Sequence, residues 1–290
     1  MVTVGIVSPG AMGSAVGRVL AAGGARVVAT VEGRSARTAQ LAEGIELLPG
    51  PDDVVAASGI ILSIVPPGAA LEVADAVARS AERVGARPLV ADLNAVAPAT
   101  MRSVASRLER AGLAAVDGSI SGPPPRAAGT TIVYLSGPRA AEVANLDAPG
   151  LELRVVGESI GTASAIKMST ASFYKGQTAL LAQALRAARS NGVLELVLDD
   201  IRRHYPDFVD EAPRLLQRIA AKSGRYVAEM EEIAATQEQA GLTPDLFAAF
   251  ATAYAGLSRT EAARRPLEQA DAAATLEDVV ASLDEQPPTS

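Results

Sequence analysis

Over roughly the first 156 residues, short apolar runs alternate with helical patterns, and this order constrains the fold more than any other feature. The runs are Val2–Val7, Arg26–Val31, Gly59–Val65, Pro88–Leu93, Ala114–Asp117, Thr131–Ser136 and Leu151–Val156. Several are continuously apolar rather than alternating, as strands covered on both faces are. Helical patterns such as Gly68–Val84 and Pro98–Ala111 lie between them. The order predicts an α/β fold with a doubly wound, mostly parallel sheet.

From Gly161 the texture changes. Gly161 to about Asn191 holds no Pro and one internal glycine, Gly176, and predicts a single long helix. Further helices follow, with breaks expected near Tyr205-Pro206, Ala212-Pro213 and Leu242-Thr243-Pro244. No strand pattern follows residue 156 or so, so this part is expected to be all helical. The polar tail with its Pro pair, residues 284–290, is expected to be flexible.

Composition excludes several classes of function. A net charge of -7 and a pI near 5.0, with no basic run, argue against a nucleic-acid surface. Cys is absent, so neither disulfides nor thiolate chemistry is available. No stretch reaches the roughly 18 unbroken apolar residues of a membrane span. No charged leader precedes the first strand, and the cytoplasm is the expected compartment. His204 is the only histidine, which rules out a multi-His metal site; no metal is expected. Lysine occurs only at Lys167, Lys175 and Lys222, so those positions invite a role that Arg cannot fill, such as giving up a proton.

The first strand leads into "GIVSPGAMGSAVG", Gly5 to Gly17. A dinucleotide-binding turn would read G-x-G-x-x-G; here the frame is Ser8, Pro9, Gly10, Ala11, Met12, Gly13. The glycine that admits the pyrophosphate and the one that packs helix on strand are both present. Ser8 stands where the turn-tightening glycine would be, and Pro9 can stiffen that turn. The competing reading is a strand–helix turn whose small residues serve packing alone. At the end of the second strand, Glu32 suits the ribose 2′-OH of NAD, but Gly33, Arg34, Ser35 and Arg37 suit a 2′-phosphate. NADP is expected over NAD; the alternative is a solvated basic turn with Ser35 capping the next helix.

Five more stretches line up in order: Ile61–Pro66, Asp92–Pro98, Asp117–Gly122, Ala128–Thr131 and Gly157–Lys167. With the Gly10–Gly13 turn they resemble the β-hydroxyacid dehydrogenase superfamily, which includes 6-phosphogluconate and 3-hydroxyisobutyrate dehydrogenases and the imine reductases. Arg225–Leu242 is similar to the C-terminal domain of 6-phosphogluconate dehydrogenase-like proteins of mostly unassigned substrate. The resemblance implies a Rossmann-type domain over 1–157 and a helical substrate and dimerisation domain over 158–283. It implies that Val65 and Pro66 lie against the adenosine side of the cofactor and that Asn94 faces the nicotinamide and substrate. It implies that Ser121 and Gly122 hold a substrate carboxylate through backbone N–H groups, and that Lys167 is the general acid or base. Departures stand at Thr170 and Ala171 (usually asparagines), at Ala95, at Pro123, and at Glu231-Glu232-Ile233, where a lysine-bearing pattern is usual.

Thr170 is a candidate substrate contact. Lys175, eight residues after Lys167 on the same predicted helix, is either a substrate contact, easing loss of the Lys167 proton, or half of a structural ion pair. "SGPPPR", Ser121 to Arg126, is a stiff loop that either offers Arg126 to an anion or merely turns a corner. Lys222 and Arg225 either close over an anionic substrate or lie on an exposed face. Tyr174 is a second proton donor or a packing residue, Met230 is core, and Glu229-Glu231-Glu232 reads as a solvated face. The expected activity is hydride transfer between NADP and a small, anionic hydroxy acid or its aldehyde or ketone. Imine reduction and a non-catalytic NADP-binding sensor or scaffold are the alternatives. A homodimer through the helical domain is expected, since the long apolar helix exceeds what its own neighbours can cover.

Overall fold

The computed structural model describes residues 2–125, 131–265 and 274–284, so Arg126, the Ala128–Thr130 part of the fourth stretch and most of the predicted tail lie outside the described residues. The chain divides into two compact units, Met1–Ser169 and Thr170–Ser290.

The first unit is a sheet flanked by helices. In chain order it runs β1 (Thr3–Ile6), α1 (Ala11–Ala22), β2 (Arg26–Ala29), α2 (Ala36–Leu41), β3 (Glu46–Leu47), α3 (Pro51–Ala57), β4 (Ile60–Ser63), α4 (Ala70–Val84), β5 (Leu89–Asp92), α5 (Pro98–Arg110), β6 (Ala115–Ser121), β7 (Ile132–Ser136), α6 (Ala140–Ala144) and β8 (Glu152–Gly157). The sheet order is β3-β2-β1-β4-β5-β6-β7-β8, and every pairing is parallel except β6 with β7. The sheet is thus doubly wound and mostly parallel, as predicted. Chain order reverses between β1 and β4, and ligands of such sheets bind at the strand ends beside that reversal.

The unbroken apolar runs have a direct cause. Alternate residues of one strand enter different cores: Ile60 and Leu62 pack into one layer with Val4, Ile6 and Leu89, while Ile61 packs into the other with Val90, Met101 and Leu108. At about 25 cal/mol per Å2 of apolar surface, burying both faces is the main force holding the sheet. The short edge strand β3 has no such run and was not predicted. Both its residues are exposed, and it is held by pairing with Val28 and Ala29 and by the Arg26–Glu46 ion pair at 2.6 Å.

α7 (Thr162–Ser190) is the predicted long helix; it starts in the first unit and continues in the second. The second unit adds α8 (Leu194–His204), α9 (Pro206–Ala220), α10 (Ser223–Gln239), α11 (Asp245–Leu257), α12 (Glu261–Arg264) and α13 (Leu276–Ser282). Among the described residues it contains no strand. Chain breaks fall at Tyr205 and around Leu242–Pro244, as expected, but not at Pro213, which lies inside α9. That proline removes one helix hydrogen bond. The buried face of Val209, Ala212, Leu216, Ile219 and Ala220 holds the helix together across it. No described helix is long and apolar enough to cross a membrane.

Candidate active site

The turn after β1 answers the question that Ser8 raises. Among the described residues no non-glycine has a positive φ, so Ser8 occupies its slot without the strain that would demand glycine. The turn is tightened instead by Ser14, whose buried hydroxyl donates to Pro9 O at 2.6 Å. Gly10 is the N-cap of α1; no side chain caps the helix, and its first turn holds no acidic residue. A Cβ added at Gly10 would meet nothing within 4 Å. Uncapped N–H groups beside open space are what a pyrophosphate requires, so the residues present fit the dinucleotide. A Cβ at Gly13, by contrast, would run into the backbone carbonyl of Ser8 and stand 3.2 Å from Ile6 Cγ2. We therefore expect Gly10→Ala to leave the melting temperature unchanged while weakening dinucleotide binding about tenfold or more. Gly13→Ala should lower both. A titration and a thermal melt on each variant check this; equal effects on both readouts at Gly10 would contradict the assignment.

Beside this turn is a cleft of about 300 Å3, lined among others by Val7, Thr30, Glu32, Arg34 and Val73. Gly33, with φ +67°, closes the turn in which Arg34 N–H donates to Val31 O at 3.0 Å. Glu32 and Arg34, the acid and the base weighed from the sequence, thus line one cleft. The Ser35 hydroxyl accepts from Thr38 N–H and caps α2, so the capping role is realised. Arg37 is exposed in the first turn of α2.

The ends of β4 and β5 are tied together by Asn94. Its Oδ1 accepts from Val65 N–H at 2.6 Å, and its Nδ2 donates to Ser63 Oγ at 3.0 Å and Asp92 Oδ2 at 2.8 Å. Asn94 is 2% exposed. Its side chain therefore holds the Val65-Pro66 turn in place, with its amide group bonded to Ser63 and Asp92. Burial pushes the Asp92 carboxyl up to about 7, against the hydrogen bonds from Asn94 and Ser63, with Asp117 adding to the rise. The folded-state value exceeds the unfolded one, so this group's stability contribution is full below pH ~4 and is lost as pH rises through 7. A rise of about three pH units corresponds to roughly 4 kcal/mol. Asp92→Asn is expected to flatten the decline in unfolding free energy between pH 4 and 7; superimposable denaturation profiles would refute the assignment.

β6 builds the next part. Alternation along a strand sends Asp117 and Ser119 to one side, where α7 begins. Asp117 Oδ2 accepts from Gly161 N–H (2.8 Å), Ala163 N–H (3.0 Å), Ser164 N–H (3.2 Å) and Ser136 Oγ (2.8 Å), and Oδ1 from Ser164 Oγ (2.6 Å). This carboxylate, fully buried, neutralises the positive end of α7 from 44 residues away in sequence. Ser119 Oγ adds a bond to Ala163 O at 2.8 Å. With its start fixed, α7 delivers Lys167, partly buried, whose Nζ donates to Ile120 O at 2.8 Å. The carbonyl lies one residue before Ser121, so the predicted acid/base and the predicted carboxylate-binding pair are brought together. Gly122 has φ +123°, a conformation that favours glycine, and Thr131 Oγ1 donates to Pro123 O at 2.6 Å, closing the base of the proline loop.

In the second unit, Thr170 is exposed. The ammonium of Lys175 pairs with the Glu229 carboxylate and sits 4.4 Å from the Tyr226 ring centroid. Of its two sequence readings, the ion pair is the one formed, and the carboxylate balances the charge that was to act on Lys167. Glu229, read as solvated, is 1% exposed, because Lys175 and Arg225 (Nε to Oε1, 2.9 Å) compensate it. Tyr174, read as packing or proton donor, is 66% exposed and edge-on to Phe173; Met230 is core and His204 is an exposed helix end. The sequence reading assigned no role to Ser14, Asp92 or Asp117. Acidic residues closing otherwise apolar strands were the available signal for the two aspartates.

The fold and the turn after β1 define a Rossmann-type protein of the kind that binds a nicotinamide dinucleotide. The NAD binding domain of 6-phosphogluconate dehydrogenase matches residues 3–149, and a domain of unknown function (DUF1932) matches residues 188–257. The chain belongs to the family of the 6-phosphogluconate dehydrogenase NAD binding domain. It is 27% identical over 171 residues to the uncharacterized 28.5 kDa protein in the 7S RNA 5′ region of Methanothermus fervidus, covering 58% of this chain and 64% of that one. Among solved structures it resembles conserved protein MTH1747, of unknown function and similar in structure to 3-hydroxyacid dehydrogenases (29% identity, TM-score 0.66, 88% and 96% of the two chains). It shares the fold of Mycobacterium tuberculosis 3-hydroxyisobutyrate dehydrogenase (18%, 0.67, 98% and 99%) and of a Streptomyces aurantiacus imine reductase (21%, 0.55, 92% and 97%).

Proposed function

We propose that this chain is an NADP-dependent oxidoreductase acting on a small anionic hydroxy acid or the corresponding aldehyde or ketone. The observation that carries this reading is the Lys167 ammonium, held at Ile120 O beside Ser121 and Gly122. When bound, the nicotinamide supplies or takes up the hydride. Lys167 handles the proton: its Nζ gives one to the substrate oxygen in reduction and removes one in oxidation. Ser121 and Gly122 offer backbone N–H groups to the substrate carboxylate, and the proline loop after them limits their motion. Arg34 in the cleft, with Arg37 following in α2, supports recognition of a 2′-phosphate. Glu32 in the same cleft favours a second reading, NAD in place of NADP. The protein works in the cytoplasm as a homodimer through its helical unit, where Phe173, Tyr174 and Leu180 of α7 are each more than 60% exposed.

The test is turnover of short hydroxy acids with NADP or NAD, and of aldehydes, ketones and cyclic imines with the reduced forms, followed by nicotinamide fluorescence. Oxidation of a hydroxy acid with kcat/KM at least about tenfold higher for NADP is expected. A preference for NAD would select the second reading. Turnover of imines alone would replace the substrate class, and binding without turnover across the panel would end the catalytic reading.

A further inference from the structure

The two edges of the sheet are built differently. An open strand edge presents rows of N–H and C=O groups that pair with another chain, and proteins blunt such edges with short strands, lysines, prolines or bulges. At one edge β3 is two residues long. At the other, β8 runs for six residues, Glu152–Gly157, or about 20 Å. It holds neither proline nor lysine, and its register irregularity falls only beyond Val155, at the Leu135–Ser136 step of β7. Glu152 N–H donates to Thr131 O at 3.1 Å, so residue 152 faces β7. Alternate residues face opposite neighbours, so Leu153 and Val155 turn their N–H and C=O groups outward. Among the described residues no hydrogen bond from elsewhere in the chain meets them there.

The side chains of this edge are self-complementary. On one face Glu152 and Arg154 are exposed, the Arg154 guanidinium 5.9 Å from the Tyr134 ring centroid. On the other, Val155 is 46% exposed while Leu151 is buried. A second copy of β8 laid antiparallel about a two-fold axis exchanges backbone hydrogen bonds only where outward-facing residues meet. An axis at Leu153 joins Leu153 to its own copy. It sets Glu152 opposite Arg154 of the second copy on one face, twice over, and Val155 opposite Leu151 on the other. Opposite charges and apolar pairs directly across strands stabilise a ladder, and like charges destabilise it. An axis at Glu152 or at Arg154 would set that charge against itself, and one at Val155 would set Glu152 against Glu158. The strand's charge order thus selects one register, and that register is one in which the chain meets itself.

We infer that two copies of this chain associate through β8, antiparallel about Leu153, joining their sheets into one. This isologous contact is separate from the one proposed for the helical units and from hydride transfer, and neither reading depends on it. Light scattering after size exclusion of the full chain, over a dilution series, tests it. The parent should have at least twice the mass of Val155→Pro, whatever the helical units do. The N–H lost there points away from β7, so the ladder within the chain is kept, and a circular dichroism spectrum like the parent's shows that the variant is folded. Glu152→Arg and Arg154→Glu leave the backbone alone. Each sets like charges opposite at both ends of the axis and should weaken the association about tenfold or more. Mixed in equal amounts, the two single variants again oppose unlike charges at both places and should regain the parent mass. The Glu152–Arg154 pair within one chain cannot produce that recovery, because each variant alone carries like charges at 152 and 154. Parent mass in folded Val155→Pro at every concentration, or no gain in mass on mixing, would overturn the proposal and leave the edge to a strand of a different protein.

Discussion

Lys167→Ala is expected to lower kcat by about 10²–10⁴-fold, while the dinucleotide dissociation constant stays within about twofold. The size follows from the role: a positioned proton donor lost from the transition state lowers the chemical step, whereas cofactor affinity depends on the turn after β1 and the cleft beside it. The ammonium donates a charge-assisted hydrogen bond to Ile120 O at 2.8 Å. Removing that bond costs about 1.5–3 kcal/mol of stability, less than the total stability of a typical domain, so the variant should fold. Lys167→Arg separates charge from proton transfer. Its guanidinium keeps the positive charge but does not give up a proton at any accessible pH, so it should be nearly as slow as Lys167→Ala. Steady-state kinetics and a fluorescence titration on the same preparations supply both numbers. An unchanged rate in either variant would remove Lys167 from the chemistry.

For Asp117→Ala we expect a loss of about 3–5 kcal/mol in unfolding free energy, the scale for leaving a buried charged network without its centre. Five donors now reach this carboxylate: three backbone N–H groups at the start of α7 and the hydroxyls of Ser136 and Ser164. Alanine leaves all of them buried without that acceptor. Each buried orphan costs about 1–3 kcal/mol before relaxation, and Ser136 Oγ, which also accepts from Ala163 N–H at 3.1 Å, limits the damage. Asp117→Asn keeps the shape and can set its amide oxygen where Oδ2 accepts four donors, with Nδ2 donating to Ser164 Oγ; it loses the charge, so partial recovery is expected. Urea denaturation gives the free energies. Lys167 lies three to six residues beyond the N–H groups that Asp117 holds, so the turnover of folded Asp117→Asn should also fall. Wild-type stability in Asp117→Ala would show that the start of α7 is held by something else.

Much of the frame was legible because its signals are local. Apolar runs in register with helical patterns marked seven of the eight strands, and the proline-free stretch after Gly161 marked α7. The glycines at 10 and 13 were readable because each acts within one turn, the first leaving space for an anion and the second letting helix touch strand. The elements misjudged were those whose stability comes from elsewhere in the chain. β3 exists through its neighbour's backbone, and Pro213 stays helical because the folded chain buries one face of α9.

The same division runs through the site. Residue types alone showed that lysine stands at only three positions, that a multi-His metal site and thiol chemistry lack their residues, and that a dinucleotide-type turn stands at the first strand–helix junction. Only the tertiary structure decided which groups those residues meet. It gave Lys175 to Glu229, turned Asn94 inward onto Val65 and Asp92, and set Asp117 at the head of a helix 44 positions away. Backbone preference and hydrophobic period act over a few residues and are written in local order. A hydrogen bond or ion pair between distant segments depends on burial and on the alignment of whole strands and helices, and neither exists until the chain has folded.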